Sequence, residues 1–390
     1  TVLSFTGPVT VQITGGSGTA NAHLSSGASV QVPNANQGVA TFSGAQALSI
    51  DSAGTNYTLT ANINAGAITK GSAPFTINAG TATKLAFTVQ PGASTVAGQT
   101  IPGVTGPSVI VRAQDALGNT NTNPGFSGNV TVAITAGTGT AGALLSGGAT
   151  VIVQALNGVA TFPALSINKA GINYSLTATA TGLTGVASAA FNIVAGTTSQ
   201  LVFTAQPAAS TVSAVSINSP TGVVVTAQDV LGNTTTFAGN VTMTITGGTG
   251  TAGALLSGGA SVIVGAVNGV ATFTGLNIDK AGNNYTLTAS INAGAITRAS
   301  GLFNITHGPA AQLVFTQQPT TATAGANIAP SVIVTVQDAA ANTVLSFTGP
   351  VTVQITGGTG TANAHLSGGA SVQVPVATQG VATFTGARAL

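Results

Sequence analysis

Five Asp, three His and seven Lys or Arg are the groups from which acid–base or metal chemistry could be built in this 390-residue chain. Glu, Cys and Trp are absent. The acidic residues are periodic. Asp115, Asp229 and Asp338 each follow a Gln and each stand four residues before an Asn: Asn119, Asn233 and Asn342. Asp-x-Leu-Gly-Asn is a turn sequence, in which Asp caps the turn and Gly takes the positive φ. The alternative role for these three Asp is calcium ligation. Calcium takes six to eight oxygens, as a rule from several carboxylates, and each repeat offers one such Asp, with Asp51 or Asp279 as a further donor. The expectation is a turn cap, no catalytic residue and no cofactor, with calcium as the one cation to test.

The remaining ionisable residues are equally sparse. His23 and His365 occupy the position held by Leu144 and Leu255 elsewhere, so they are expected to be partly buried packing residues. His307, in Thr-His-Gly-Pro, falls in a linker. Lys169 and Lys280 lie in turns where Ser52 stands in the first repeat. General acid–base catalysis needs clustered titratable groups, and a glycosidase needs a carboxylate pair. One unpaired Asp per repeat meets neither requirement, so the chain is expected not to be an enzyme.

Charge also bounds the partners. An ordinary domain is about one quarter charged; this chain is 3% charged, with a net +2. That is no electrostatic footprint for nucleic acid. No apolar run approaches the ~18 residues of a spanning helix, because Thr, Ser, Asn and Gln interrupt every segment. With so few titrating groups, stability and assembly are expected to respond little to salt or pH.

The elements that position these residues are repeats. Gly-Val-Ala-Thr-Phe ends at Phe42, Phe162, Phe273 and Phe384, and Leu-x-Phe-Thr-x-Gln-Pro begins at Leu85, Leu201 and Leu313. A period near 110–120 residues is one domain rather than one solenoid unit. Each repeat holds about seven short Val/Ile/Thr/Phe segments between Gly, Asn and Pro. In the first complete repeat they fall near 85–90, 107–115, 129–136, 149–153, 158–163, 172–180 and 187–194. The 14 Phe and three Tyr all sit at repeated positions, which predicts a sandwich core and leaves no aromatic platform for a sugar or base.

Asp51 to Tyr57, Asn168 to Tyr174 and Asp279 to Tyr285 share the form Asp/Asn-x-Ala-Gly-x-Asn-Tyr. They resemble the tyrosine corner of immunoglobulin-type sandwiches, with Leu59, Leu176 and Leu287 where antibody domains carry a Cys. Together with the Gln-Asp and Gly-Val-Ala-Thr-Phe blocks, the chain resembles bacterial immunoglobulin-like tandem repeats of invasin/intimin-type adhesins and extracellular fibres. The resemblance implies an all-β chain of tandem sandwiches forming a rod. The domains expected are 1–79 (lacking its first two strands), 80–196, 197–308 and 309–390 (lacking its last two). Residues 1–48 and 343–390 agree at 42 of 48 positions, so the chain reads as a window on a longer super-repeat. The implied role is a structural, extracellular or cell-surface segment, as fibre, adhesin stalk or spacer of a secreted glycan-active enzyme. Its implied partners are copies of itself, with cell surface or glycans in second place.

Overall fold

The computed structural model describes residues 1–390 except 18, 19, 21, 26, 123, 357–363, 368, 375 and 386–389. The described residues form short strands and three single-turn 3-10 helices, with no α-helix. Among the described residues no helix is long and apolar enough to cross a membrane. The chain divides into two compact units, Thr1–Gly196 and Thr197–Leu390, each taken by itself below.

Within the first unit, residues 80–196 show the full pattern. One path of strands runs Thr150–Gln154, Asn129–Ile134, Leu176–Ala180, Leu183–Ala187, Lys84–Val89, Val109–Gln114 and Val159–Phe162. A second sheet joins Gly171–Tyr174, Phe191–Val194 and Ser94–Val96. The pairs are antiparallel except where Leu183–Ala187 meets Lys84–Val89 and where Phe191–Val194 meets Ser94–Val96. The pairing at Thr184–Lys84 joins the two halves of the path, and its two end strands, Thr150–Gln154 and Val159–Phe162, are not paired with each other.

Period-2 alternation builds the core. Along Val109–Gln114 every second residue, Val109, Val111 and Ala113, is buried; on Asn129–Ile134 the buried pair is Val130 and Val132. They pack with Phe162, Leu176, Phe191 and Ile193 into one cluster. The seven sequence-derived segments all contain strands. The segment at 172–180 is two strands rather than one. Asn173 takes φ +57°, the register shifts between Gly171 and Tyr174, and the chain passes from one sheet to the other after the buried Tyr174. Asn tolerates that left-handed conformation better than any β-branched residue. The strands Ser94–Val96 and Leu183–Ala187 are additional; both lack the alternation that marks a half-buried strand.

Residues 1–79 of the same unit carry one sheet in the order Ser29–Val32, Val9–Gly15, Gly54–Ile63 and Ile68–Gly71, with Phe75–Ile77 also paired to Gly54–Ile63. In the second unit, residues 197–308 repeat the sandwich. Gln200–Ala205, Val223–Gln228 and Val270–Phe273 form one sheet, and Ser261–Gly265, Asn240–Ile245, Leu287–Ile291 and Ile296–Ala299 another. A separate core cluster fills it, with Met243, Leu256, Phe273 and Phe303. A third cluster lies in 328–390.

The aromatic set is less uniformly buried than its repetition predicts. Phe162, Phe273 and Phe384 are fully buried, but Phe42 is only half-buried. Phe162 is paired across to Val109, and residues 1–79 contain no counterpart of that strand. Phe315 is 40% exposed, whereas its repeat equivalent Phe203 is buried against a cluster that includes Phe303 and Ile305. Residues 309–390 contain no counterpart of those two side chains. Phe5, Phe126, Phe237 and Phe347 are half-buried as well.

Candidate functional site

The tyrosine corner is the first recurring polar device. Tyr57, Tyr174 and Tyr285 are fully buried. Their hydroxyls donate to the carbonyls of Ser52 (2.8 Å), Lys169 (2.9 Å) and Lys280 (2.9 Å). Each ring also lies about 6 Å from a Phe of the adjoining strand, such as Phe191 or Phe303. The hydroxyl thus anchors a five-residue turn to the start of the strand. A Gly from the facing loop abuts each of the last two rings: Gly139 (φ +64°) against Tyr174 and Gly250 (φ +63°) against Tyr285. A Cβ at either Gly would enter the ring.

The second device is built on the Asp-x-x-x-Asn turns. All three Asp are buried. The backbone N–H of Asp338 donates to the Asn342 carbonyl (2.9 Å), closing the loop. Asp338 Oδ1 accepts from the N–H groups of Ala340 (2.9 Å) and Asn342 (2.8 Å). Its Oδ2 accepts from the N–H of Gly308 (2.8 Å) and the hydroxyl of Ser213 (2.9 Å). Asn342 Nδ2 completes the set, 3.3 and 3.1 Å from the two oxygens. Asp115 repeats the arrangement, accepting from the N–H of Asn119 (2.9 Å) and of Gly80 (2.8 Å) and from Asn119 Nδ2. Asp229 Oδ1 accepts from the N–H groups of Leu231 and Asn233, both at 2.9 Å.

The Asn held in this way reaches across a domain junction. In the first unit, Asn119 Nδ2 donates to the Asp51 carbonyl (2.9 Å) and Asn119 Oδ1 accepts from the N–H of Ala53 (2.8 Å). In the second, Asn342 makes the same pair with the Asp279 carbonyl (2.9 Å) and the N–H of Ala281 (2.8 Å). Both targets are in the tyrosine-corner turn of the preceding domain. The carboxylate meanwhile grips the linker itself, at Gly80 and Gly308. One side chain orients another, and the pair holds both the linker and the neighbouring domain. We call the pair a clasp.

The electrostatics follow from this geometry. Burial acts to raise the Asp338 pKa, but the hydrogen bonds from Gly308, Asn342 and Ser213 outweigh it and bring the carboxyl down to about 2. Asp115 is lowered in the same way, burial being overcome by Asn119, Gly80 and Leu117. Both carboxylates are therefore ionised and satisfied by donors from the protein. Among the described residues no three His, Asp, Glu or Cys lie close enough to hold a metal ion. A calcium ion at Asp338 would have to displace backbone N–H groups from both oxygens.

His23 departs from the sequence expectation. Its side chain is 59% exposed, and His365 is exposed as well. The repeat position is a surface one: Leu144 and Leu255 are themselves more than 40% exposed, and the buried residue is the next, Leu24, Leu145 or Leu256. What the position supplies is its backbone. The N–H groups of His23, Leu144 and Leu255 each donate to the corner side chain, Asp51, Asn168 or Asp279, at 2.7 Å. The His23 Nδ1 also lies 2.9 Å from Asp51. The N–H of His23 and then its imidazole hold the Asp51 pKa below its usual value. The linker residue His307 has Nδ1 2.9 Å from the Gly308 carbonyl and receives the N–H of Ser346 at Nε2 (3.4 Å). The Lys169 and Lys280 ammonium groups donate to the carbonyls of Ala141 (3.0 Å) and Ala252 (3.1 Å).

Sequence reasoning placed the Asp-x-x-x-Asn turns but missed their targets. The available signal was their recurrence once per repeat, 35 residues after the linker Gly80 and 30 after Gly308. Corner and clasp together define a class: tandem immunoglobulin-like domains whose Asp residues are spent on turns and junctions.

No family model and no curated protein matches the chain. Among solved structures it is similar to FdeC, an adhesin of Escherichia coli, at 18% identity over 79% of this chain and 94% of that one, with a TM-score of 0.33. It is also similar to invasin, a bacterial integrin-binding protein, at 12% identity over 89% of this chain and 63% of that one (TM-score 0.29). A β-glucuronidase of Bacteroides uniformis matches over 56% of this chain and 24% of its own, at 14% identity and a TM-score of 0.19. At these scores the likenesses carry no weight for function. The immunoglobulin-like assignment rests on the corner and on the paired sheets.

Proposed function

We propose that the chain is a structural, non-catalytic segment of an extracellular bacterial fibre or filament, built from tandem immunoglobulin-like domains at 1–79, 80–196, 197–308 and 309–390. Its principal partner is a further copy of itself. The observation that carries this reading is the clasp. The buried carboxylates of Asp115 and Asp338, the groups best placed for acid–base or metal chemistry, accept hydrogen bonds from linker amides and orient an Asn toward the preceding domain. Side chains committed in this way restrict a junction and leave no oxygen for a substrate.

Low charge supports the same reading. Neighbouring copies of a nearly uncharged chain repel each other little. Electron microscopy of the material from its source tests the proposal. Ordered fibres of constant repeat are the expected result. Isolated, unassociated threads would instead favour the stalk of a cell-surface adhesin, and a globular particle with hydrolytic activity would overturn both.

A further inference from the structure

The open side of each complete sandwich is bordered by two end strands with no charged residue. In residues 80–196 these are Thr150–Gln154 and Val159–Phe162, at the two ends of one strand path. In 197–308 they are Ser261–Gly265 and Val270–Phe273, each the outermost strand of its sheet. From Ala116 to Asn168, and again from Val230 to Ile278, no Asp, Glu, Lys or Arg occurs. Alternation turns Val151 and Val153 inward against the core and leaves Ile152 pointing out, 59% exposed; Val262, Val264 and Ile263 (58%) repeat this. The turns between the end strands add Leu156 (76% exposed) and Val267 (71%).

In 197–308 the other edge of the same sheet is treated differently, whereas in 80–196 the equivalent strand Leu183–Ala187 is uncharged and covered by Lys84–Val89. Ile296–Ala299 carries Arg298, and the equivalent strand Ile68–Gly71 in residues 1–79 carries Lys70. A cation on an outer strand is a common guard against edge-to-edge pairing, and an unguarded, flat, apolar edge is a template for another strand. In 197–308 and in 1–79 the guard stands on one edge and is missing from the opposite one, Ser261–Gly265 or Ser29–Val32.

We propose that the Thr150–Gln154 and Ser261–Gly265 edges are a lateral docking surface for a second copy of this chain, joined by antiparallel strand addition. The occupant follows from the chemistry of the edge. It offers a charged partner no counter-charge, and its Thr/Ser-Val-Ile-Val sequence presents the same alternation to an inverted copy of itself. Antiparallel pairing of like edges is isologous, with main-chain hydrogen bonds supplying affinity and Ile152 or Ile263 contributing apolar contact beside it. The proposal rests on the reading of the chain as a structural segment and names the surface through which copies associate.

The test is sedimentation of the purified 390-residue chain over a range of concentrations. Three proteins are compared: the parent, Ile152→Lys/Ile263→Lys, and Thr69→Lys/Thr297→Lys, which adds equal charge to the already guarded edges. All four sites are exposed, so circular dichroism and melting temperature should be unchanged. The parent is expected to associate with rising concentration, and the T69K/T297K protein to match it. In I152K/I263K the like charges would face each other across the pairing, weakening association by about tenfold or more. A monomeric parent at every concentration would overturn the proposal. So would equal association of all three proteins, or equal dissociation of both variants. If the parent is monomeric while its junction amides remain protected from exchange, the edge proposal fails and the structural reading stands.

Discussion

Replacing Asp338 by Asn tests the clasp most quantitatively. The substitution keeps the shape and removes the charge. An amide can accept at its oxygen, but its NH2 would then face a donor: Ala340 and Asn342 N–H on one side, Gly308 N–H and Ser213 on the other. The magnitude follows from linkage. The carboxyl titrates at about 2 in the folded protein against 3.8 when unperturbed, and each pKa unit is about 1.4 kcal/mol. The ionised form is therefore favoured in the folded state by about 2 kcal/mol. Because the folded pKa is depressed, that stability is fully present above pH 3.8 and is lost as pH falls toward 2. D338N should lower the urea-unfolding stability of the 197–390 unit by about 2 kcal/mol at pH 7. The difference from the parent should shrink below about pH 4 and nearly vanish at pH 2. Parallel denaturation curves at several pH values measure it. A difference that stays constant from pH 7 to 2, or none at pH 7, would refute the account of Asp338.

Other substitutions probe the remaining devices. Tyr174→Phe removes a buried hydroxyl and leaves the Lys169 carbonyl without its donor; a loss of about 1–2 kcal/mol is expected by chemical denaturation, and an unchanged midpoint would count against an anchoring corner. Gly250→Ala places a methyl in the Tyr285 ring at a positive φ, so it should destabilise far more than an exposed Gly→Ala; retention of the parent melting temperature would contradict that packing. Ala341 stands at φ +62° where the other clasp turns have Gly118 or Gly232. Ala341→Gly should therefore be neutral or stabilising by up to about 1 kcal/mol, while Gly118→Ala should cost a similar amount. Calcium titration should give neither binding heat nor a rise in melting temperature; either would show that Asp115, Asp229 or Asp338 releases its donors to a cation.

Much of this was legible in the residues because the repeats copy both pattern and position. Alternating Val and Ile locate the strands that bury one face, and Asp/Asn-x-Ala-Gly-x-Asn-Tyr locates the corner. What was not legible depends on partners distant in sequence. Asn119 reaches Ala53 and Asp51, and Asn342 reaches Ala281 and Asp279; nothing in a four-residue turn motif names a target more than sixty residues away. His23 is exposed although a Leu at the equivalent position suggests burial, because two successive Leu stand there and only the second faces the core. Phe42 and Phe315 show that an aromatic is buried by its neighbours as much as by its own type. The expectation of weak pH dependence sharpens to a window: Asp115 and Asp338 place acid sensitivity below about pH 4, and the junctions are where it should appear.

Residue-resolved amide hydrogen exchange on the whole chain tests the central claim most directly. The N–H groups of Gly80 and Gly308 are held by clasp carboxylates, and those of Ala53 and Ala281 by clasp Asn side chains. If these side chains lock the junctions, the four amides exchange far more slowly than a flexible linker, and Asn342→Ala speeds exchange at Ala281 while leaving the strand amides of Asn240–Ile245 protected. Random-coil exchange at these amides in the parent protein would mean that the linkers are free, and would contradict the account.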